Sequence, residues 1–77
     1  MVHAFVMVKT EAGEGERLLD AIRNVVSVSE AHIVAGNYDI IAEMDTEEVY
    51  DVLKSVSGDL QGLQGVIDTK TYISMDG

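Results

Sequence analysis

The chain contains no cysteine. That excludes disulfides and thiolate metal sites as sources of stability. Two histidines, His3 and His32, stand far apart in sequence and do not suggest a metal site. Cations are scarce too. Five Lys and Arg face 14 Asp and Glu, a formal net charge of −9. Such a surface repels phosphate backbones, which argues against direct nucleic-acid binding. No run approaches the roughly 20 apolar residues of a membrane span, so no membrane partner is expected. No basic region is followed by an apolar stretch and a cleavage site at the N-terminus. The expected location is the cytoplasm, which the lack of cysteine also fits. The acids are spread along the chain rather than gathered in a tail. They read equally as adaptation to a salt-rich cytoplasm or as ordinary surface acidity.

What is present amounts to one domain, 77 residues spanning 1–77. A chain of this size buries only about 60% of its unfolded surface and is marginal alone. Disulfides, a metal or oligomerisation are the usual remedies, and here oligomerisation remains.

Val2–Lys9 is an almost unbroken apolar strand. Val2, Ala4, Val6 and Val8 form one face; His3, Phe5, Met7 and Lys9 form the other. Both faces carry large apolar residues and want cover. A glycine-marked turn over Thr10–Gly15 leads to a helix from about Glu14 to Val26. Its stripe is Leu18, Leu19, Ile22, Val25 and Val26, and Glu14 and Glu16 suit its positive N-terminal end. Val28–Gly36 reads as a second strand and Asp39–Met44 as a third. Gly36, Asn37 and Tyr38 form a tight hairpin turn in which Gly and Asn tolerate positive φ. Asp45 and Glu48 resemble a capping box for a second helix. Its stripe is Val49, Val52, Leu53, Val56 and Leu60, and it ends by about Gln61. Val66–Met75 is the last strand. Ile67, Thr69, Thr71, Ile73 and Met75 alternate there with Val66, Asp68, Lys70, Tyr72 and Ser74.

The order βαββαβ predicts an α+β, ferredoxin-like sandwich. Two right-handed crossovers put both helices on one face of a four-stranded antiparallel sheet. The other face is bare and apolar, which predicts a partner. A second copy packed sheet to sheet about a two-fold axis is the simplest one, giving a dimeric α/β-barrel-like assembly.

Three stretches resemble the effector-binding domain of Lrp/AsnC regulators, the RAM domain. Ala31–Ile41 is similar to that family's strand–Gly-x-Tyr-Asp–strand hairpin, here Gly36-Asn37-Tyr38-Asp39. Gly65–Thr71 is similar to its Gly-Val-x-x-Thr-x-Thr lead into the last strand. The opening strand, glycine turn and acidic helix start complete the match. Family members usually carry an N-terminal helix-turn-helix. Here Met1 leads directly into the first strand, so the resemblance is to stand-alone RAM proteins without that domain. It implies dimers formed through the sheet, further association into tetramers to octamers, and an amino acid or similar effector bound between dimers. It also implies an activity linked to transcriptional regulation, with full-length Lrp/AsnC regulators as possible partners and no cofactor.

Within that frame the candidate ligand residues are Gly36, Asn37, Tyr38, Asp39, Thr69 and Thr71. Backbone N–H groups at the turn could hold an effector carboxylate and Asp39 its ammonium. Two threonine hydroxyls on one strand face could add hydrogen bonds. The plainer readings are turn geometry and ordinary strand formers. His32 and His3 read as surface or interface residues. Glu43 with Asp45, and Glu11, Glu14 and Glu16, read as solvated acids rather than paired catalytic carboxylates. Met7, Met44 and Met75 read as packing. No nucleophile–base pair, zinc spacing or phosphate loop appears, so no catalytic or metal residue is expected. Two alternatives remain beside the effector module. One is a small dimeric ferredoxin-like monooxygenase that needs no cofactor, with a polar-lined cavity between sheet and helices. The other is a purely structural interaction domain.

Overall fold

The computed structural model describes residues 1–76. Strand β1 is Val2–Thr10, helix α1 Gly15–Arg23, β2 Val28–Ile33, β3 Ile40–Thr46, α2 Val49–Ser55 and β4 Val66–Ile73. A π-helical turn, Val56–Leu60, continues α2. The sheet order is β2-β3-β1-β4 and every adjacent pair is antiparallel. This is the expected βαββαβ sandwich.

Alternation along β1 decides which face the helices cover. Ala4, Val6 and Val8 are fully buried, with Ile40, Ala42 and Met44 of β3 beside them. Leu18 and Ile22 of α1, and Val52, Val56 and Leu60 of the second helical segment, close over them. His3, Phe5, Met7 and Lys9 therefore lie on the helix-free face.

Local details depart from the expected pattern. Helix α1 stops at Arg23 rather than Val26. Asn24 caps it, its side-chain amide donating to Asp20 O at 3.0 Å, the kind of local backbone bonding that competes with helix. The Arg23 guanidinium donates to Ala31 O at 3.2 and 2.9 Å, tying the helix end to β2. Val25 still packs on the core, whereas Val26 is wholly exposed.

Strand β3 runs on to Thr46, so Asp45 is a strand residue and caps nothing. The Glu48 N–H instead donates to the Asp51 carboxylate at 3.2 Å, at the start of α2. In α2 the apolar stripe splits: Val52, Val56 and Leu60 are buried while Val49 and Leu53 are exposed. Gln61 N–H donates to Val56 O, five residues back, at 2.8 Å. That wider turn keeps Val56 and Leu60 on the same inward side.

The β1–β4 pairing contains a bulge. Lys9 pairs with Asp68 but Thr10 pairs with Val66, leaving Ile67 as the extra residue. The bulge moves Val66 into the helix-facing set with Thr69, Thr71 and Ile73, where simple alternation groups it with Asp68. Gly65 precedes this strand with φ +102°. A Cβ there would sit 2.9 Å from Arg17 Nη2 and 3.2 Å from Leu18 Cδ1. Arg17 Nη2 also donates to Gln64 O at 2.7 Å, so the turn is clamped onto α1.

Candidate functional site

The connection between β2 and β3 spans 34–39 and is longer than a tight two-residue hairpin. Val34 N–H donates to Asp39 O at 2.9 Å, and Asp39 N–H donates to Val8 O at 2.9 Å. Asp39 Oδ2 accepts the Thr10 N–H at 2.8 Å. Lys9 Nζ donates to Asn37 O at 3.0 Å, and the Tyr38 hydroxyl reaches Asp68 Oδ2 at 3.5 Å. Gly36 has φ +156°, but among the described residues no residue other than glycine has positive φ, so Asn37 does not. Asp39 thus holds the hairpin against β1.

Thr69 and Thr71 share a face, as their spacing requires. They pair with Val8 and Val6 and project to the helix side, where Gln61 Nε2 donates to Thr69 Oγ1 at 2.8 Å. Tyr38 and Asn37, by contrast, touch Asp68 and Lys9, which belong to the helix-free face. Asn37 and Tyr38 thus lie toward the helix-free face and Thr69 and Thr71 toward the helix side, while Asp39 is bonded to the β1 backbone between them. Two open grooves lie elsewhere. The larger, about 470 Å³, runs between the α1–β2 connection and the π turn, past Asn24, Val26 and Asp59. The smaller, about 280 Å³, borders Arg23, Ser29 and His32. None of the six candidates lines either one.

The helix-free face has its own organisation. Its middle is apolar: Met7 lies between Ile41 and Lys70, and Phe5 between Glu43 and Tyr72. Phe5 is 37% exposed and Tyr72 57%. At the β2–β3 side, His3 Nδ1 lies 2.6 Å from Asp45 Oδ1 and Nε2 lies 3.1 Å from Glu43 Oε1. The Phe5 ring meets the imidazole edge to face at 4.9 Å. Two carboxylate acceptors require both ring nitrogens to donate, which only the imidazolium does. The Asp45 carboxylate accordingly raises the His3 pKa above its ordinary value; desolvation opposes this and Glu43 reinforces it. His3 in turn lowers the Asp45 pKa, against desolvation and with help from Ser29.

Sequence patterning alone treats His3 and the Glu43–Asp45 pair as separate surface features. The signal that joins them is register. Placing Ala4, Val6 and Val8 opposite Met44, Ala42 and Ile40 puts His3 opposite Asp45.

Between sheet and helices the buried core is made of aliphatic side chains, among them Val6, Val8, Leu18, Ile22, Ile40 and Leu60, and both histidines lie on the helix-free face. Among the described residues no group of three or more His, Cys, Asp and Glu is arranged to hold a metal ion. No helix among them is long and apolar enough to cross a membrane.

The family model for the Lrp/AsnC ligand binding domain matches residues 3–77. The chain belongs to this family. As an Lrp/AsnC ligand-binding domain it resembles the Thermus thermophilus protein TTHA0845. That likeness has a TM-score of 0.95 at 27% identity and covers 100% of this chain and 96% of the other. It resembles AsnC of E. coli with a TM-score of 0.91 at 18% identity, over 99% of this chain and 52% of that one. An uncharacterised HTH-type transcriptional regulator of Pyrococcus furiosus is 31% identical over 74 residues, 92% of this chain and 49% of the relative. One from Pyrococcus abyssi is 26% identical over 76 residues, 95% of this chain and 51% of the relative. The chain spans about half the length of these curated relatives. A Neisseria meningitidis transcriptional regulator solved in complex with L-Met shares the fold, with a TM-score of 0.85 at 17% identity, over 96% of this chain and 49% of that one.

Proposed function

We propose that this Lrp/AsnC ligand-binding domain is a cytoplasmic effector-binding and oligomerisation module, a single domain over residues 1–77, linked to transcriptional regulation. The match of the family model to residues 3–77 carries the reading. The helix-free face adds to it. Phe5, Met7, Ile41 and Tyr72 form a continuous apolar strip, the surface a second copy would cover in a sheet-to-sheet dimer.

The effector is an amino acid, the ligand class of the Neisseria relative solved with L-Met. It sits where protomers meet. Asn37 and Tyr38 contact the helix-free face while Thr69 and Thr71 project to the helix side, so one small ligand touching both sets would bridge two copies. That favours dimers assembling further, into tetramers to octamers. Full-length Lrp/AsnC regulators, joined through the same interfaces, are the partners that pass the signal on. Ligand-driven regulation then requires unequal affinity for two assembly states.

Thermal-shift measurements with each of the twenty amino acids test this. A ligand at tenfold its Kd stabilises by about 1.4 kcal/mol, worth roughly 6–11 °C in Tm for a domain of this size. At least one amino acid is expected to do so at millimolar concentration. A flat response to all twenty rejects the ligand class.

A further inference from the structure

The His3–Glu43–Asp45 triad lies beside the apolar strip and is unused by the effector reading. Its neighbours on the face are Lys9 on β1, Glu30 and His32 on β2, and Asp68, Lys70 and Tyr72 on β4. Among the described residues four carboxylates thus share the face with two ammonium groups. Three of the acids, Glu30, Glu43 and Asp45, gather toward β2 and β3, while Lys9 and Lys70 lie toward β1 and β4 with the fourth acid, Asp68. A two-fold that lays the β2 side of one copy over the β4 side of the other brings Glu30, Glu43 and Asp45 toward Lys9 and Lys70, with Asp68 the one acid among the lysines.

Sheet-to-sheet packing removes water from this face, and there the charge state of the triad decides the cost. With an imidazolium the triad carries −1. With a neutral imidazole it carries −2, and one carboxylate also loses its ring N–H donor. Burying the second state is dearer, and two such triads repel each other across the dimer.

We propose that His3 is a protonation-dependent clasp on the self-association face, holding Glu43 and Asp45 neutralised enough for a second copy to pack over them. The inference rests on the sheet-face dimer proposed above. Its sign follows from linkage. If the dimer prefers the imidazolium, dimerisation takes up protons and the dimer loosens as pH rises. The His3 pKa is already raised from 6.5 in the single chain, so the loosening falls above that value.

Sedimentation velocity of the whole chain between pH 6 and 9, at low and constant salt, tests it. The dimer Kd is expected to rise about tenfold across that range, to be nearly constant in His3→Gln, and to keep its pH dependence in His32→Gln. His32 remains in His3→Gln, so its contribution is controlled within the series. Pairing is expected to disappear in Phe5→Glu. A second readout is the NMR titration of the His3 ring in the unaltered chain, whose pKa is expected to be higher above the dimer Kd than below it. Pairing that survives Phe5→Glu, or no pairing at any pH, rejects the sheet-face dimer and the clasp with it. A dimer whose Kd ignores pH, a pH dependence that persists in His3→Gln, or a His3 pKa independent of concentration rejects the clasp and leaves the dimer standing.

Discussion

Single residues carry constraints that surface patterning does not reveal. Gly65 combines a positive φ with a close approach to Arg17 and Leu18. Gly65→Ala must adopt a conformation that costs a side chain about 1–2 kcal/mol and must also push two neighbours aside. A loss of about 2–3 kcal/mol in urea unfolding is the expected outcome. The His3–Asp45 pair makes an equally specific statement about pH. The His3 pKa is raised from 6.5, so its contribution is complete below that value and fades as pH rises through the folded-state pKa. The Asp45 pKa is lowered from 3.8, so its contribution is present above that value and fades as pH falls through the folded-state pKa. Both act together between about pH 4 and pH 6.5. The Tm difference between the unaltered chain and His3→Gln should be largest there and shrink on either side. Neither residue's role was legible beforehand. A glycine at a strand start looks like any turn glycine, and His3 meets Asp45 only through a pairing 42 residues distant in sequence.

At the scale of elements, the order βαββαβ was fully legible, because each segment announces its period: alternation in the strands, i, i+3, i+4 spacing in the helices. Three features were not. The end of α1 was hidden because Val25 and Val26 continue the apolar stripe, and only the Asn24 cap and the Arg23 bond to Ala31 stop it. The phase of β4 was hidden because its bulge belongs to the pairing with β1 and not to its own residues. The capping role assigned to Asp45 failed because β3 extends through it to meet His3. The consequence for α1 is measurable. Leu18 is fully buried, and Leu18→Ala should cost about 2–5 kcal/mol. Val26 lies at the same helical spacing in sequence but is solvent-exposed. Val26→Asp should change stability by less than about 0.5 kcal/mol. A scan that found the two equally damaging would mean that α1 extends to Val26 in solution.

For the whole molecule, the governing tension lies between apolar surface and charge. Each protomer carries −9, so bringing two together opposes a strong like-charge field. In the proposed sheet-face dimer the apolar strip of Phe5, Met7, Ile41 and Tyr72 must outweigh that repulsion. Salt separates the two contributions. The Debye length falls from about 10 Å at 0.1 M to 3 Å at 1 M, which screens the distant acids first. Contacts inside a dry interface are screened far less, and apolar burial is not weakened by salt. Association is therefore expected to tighten several-fold as NaCl is raised from about 0.1 to 1 M at about pH 6, as read by sedimentation equilibrium. The same gain in a variant carrying Lys70→Gln would show that general screening, rather than a cross-interface ion pair, sets the response. A dimer that instead weakens steadily with salt would mean that the lysines of β1 and β4, pairing with the acids of β2 and β3, hold it together and that the apolar strip contributes little.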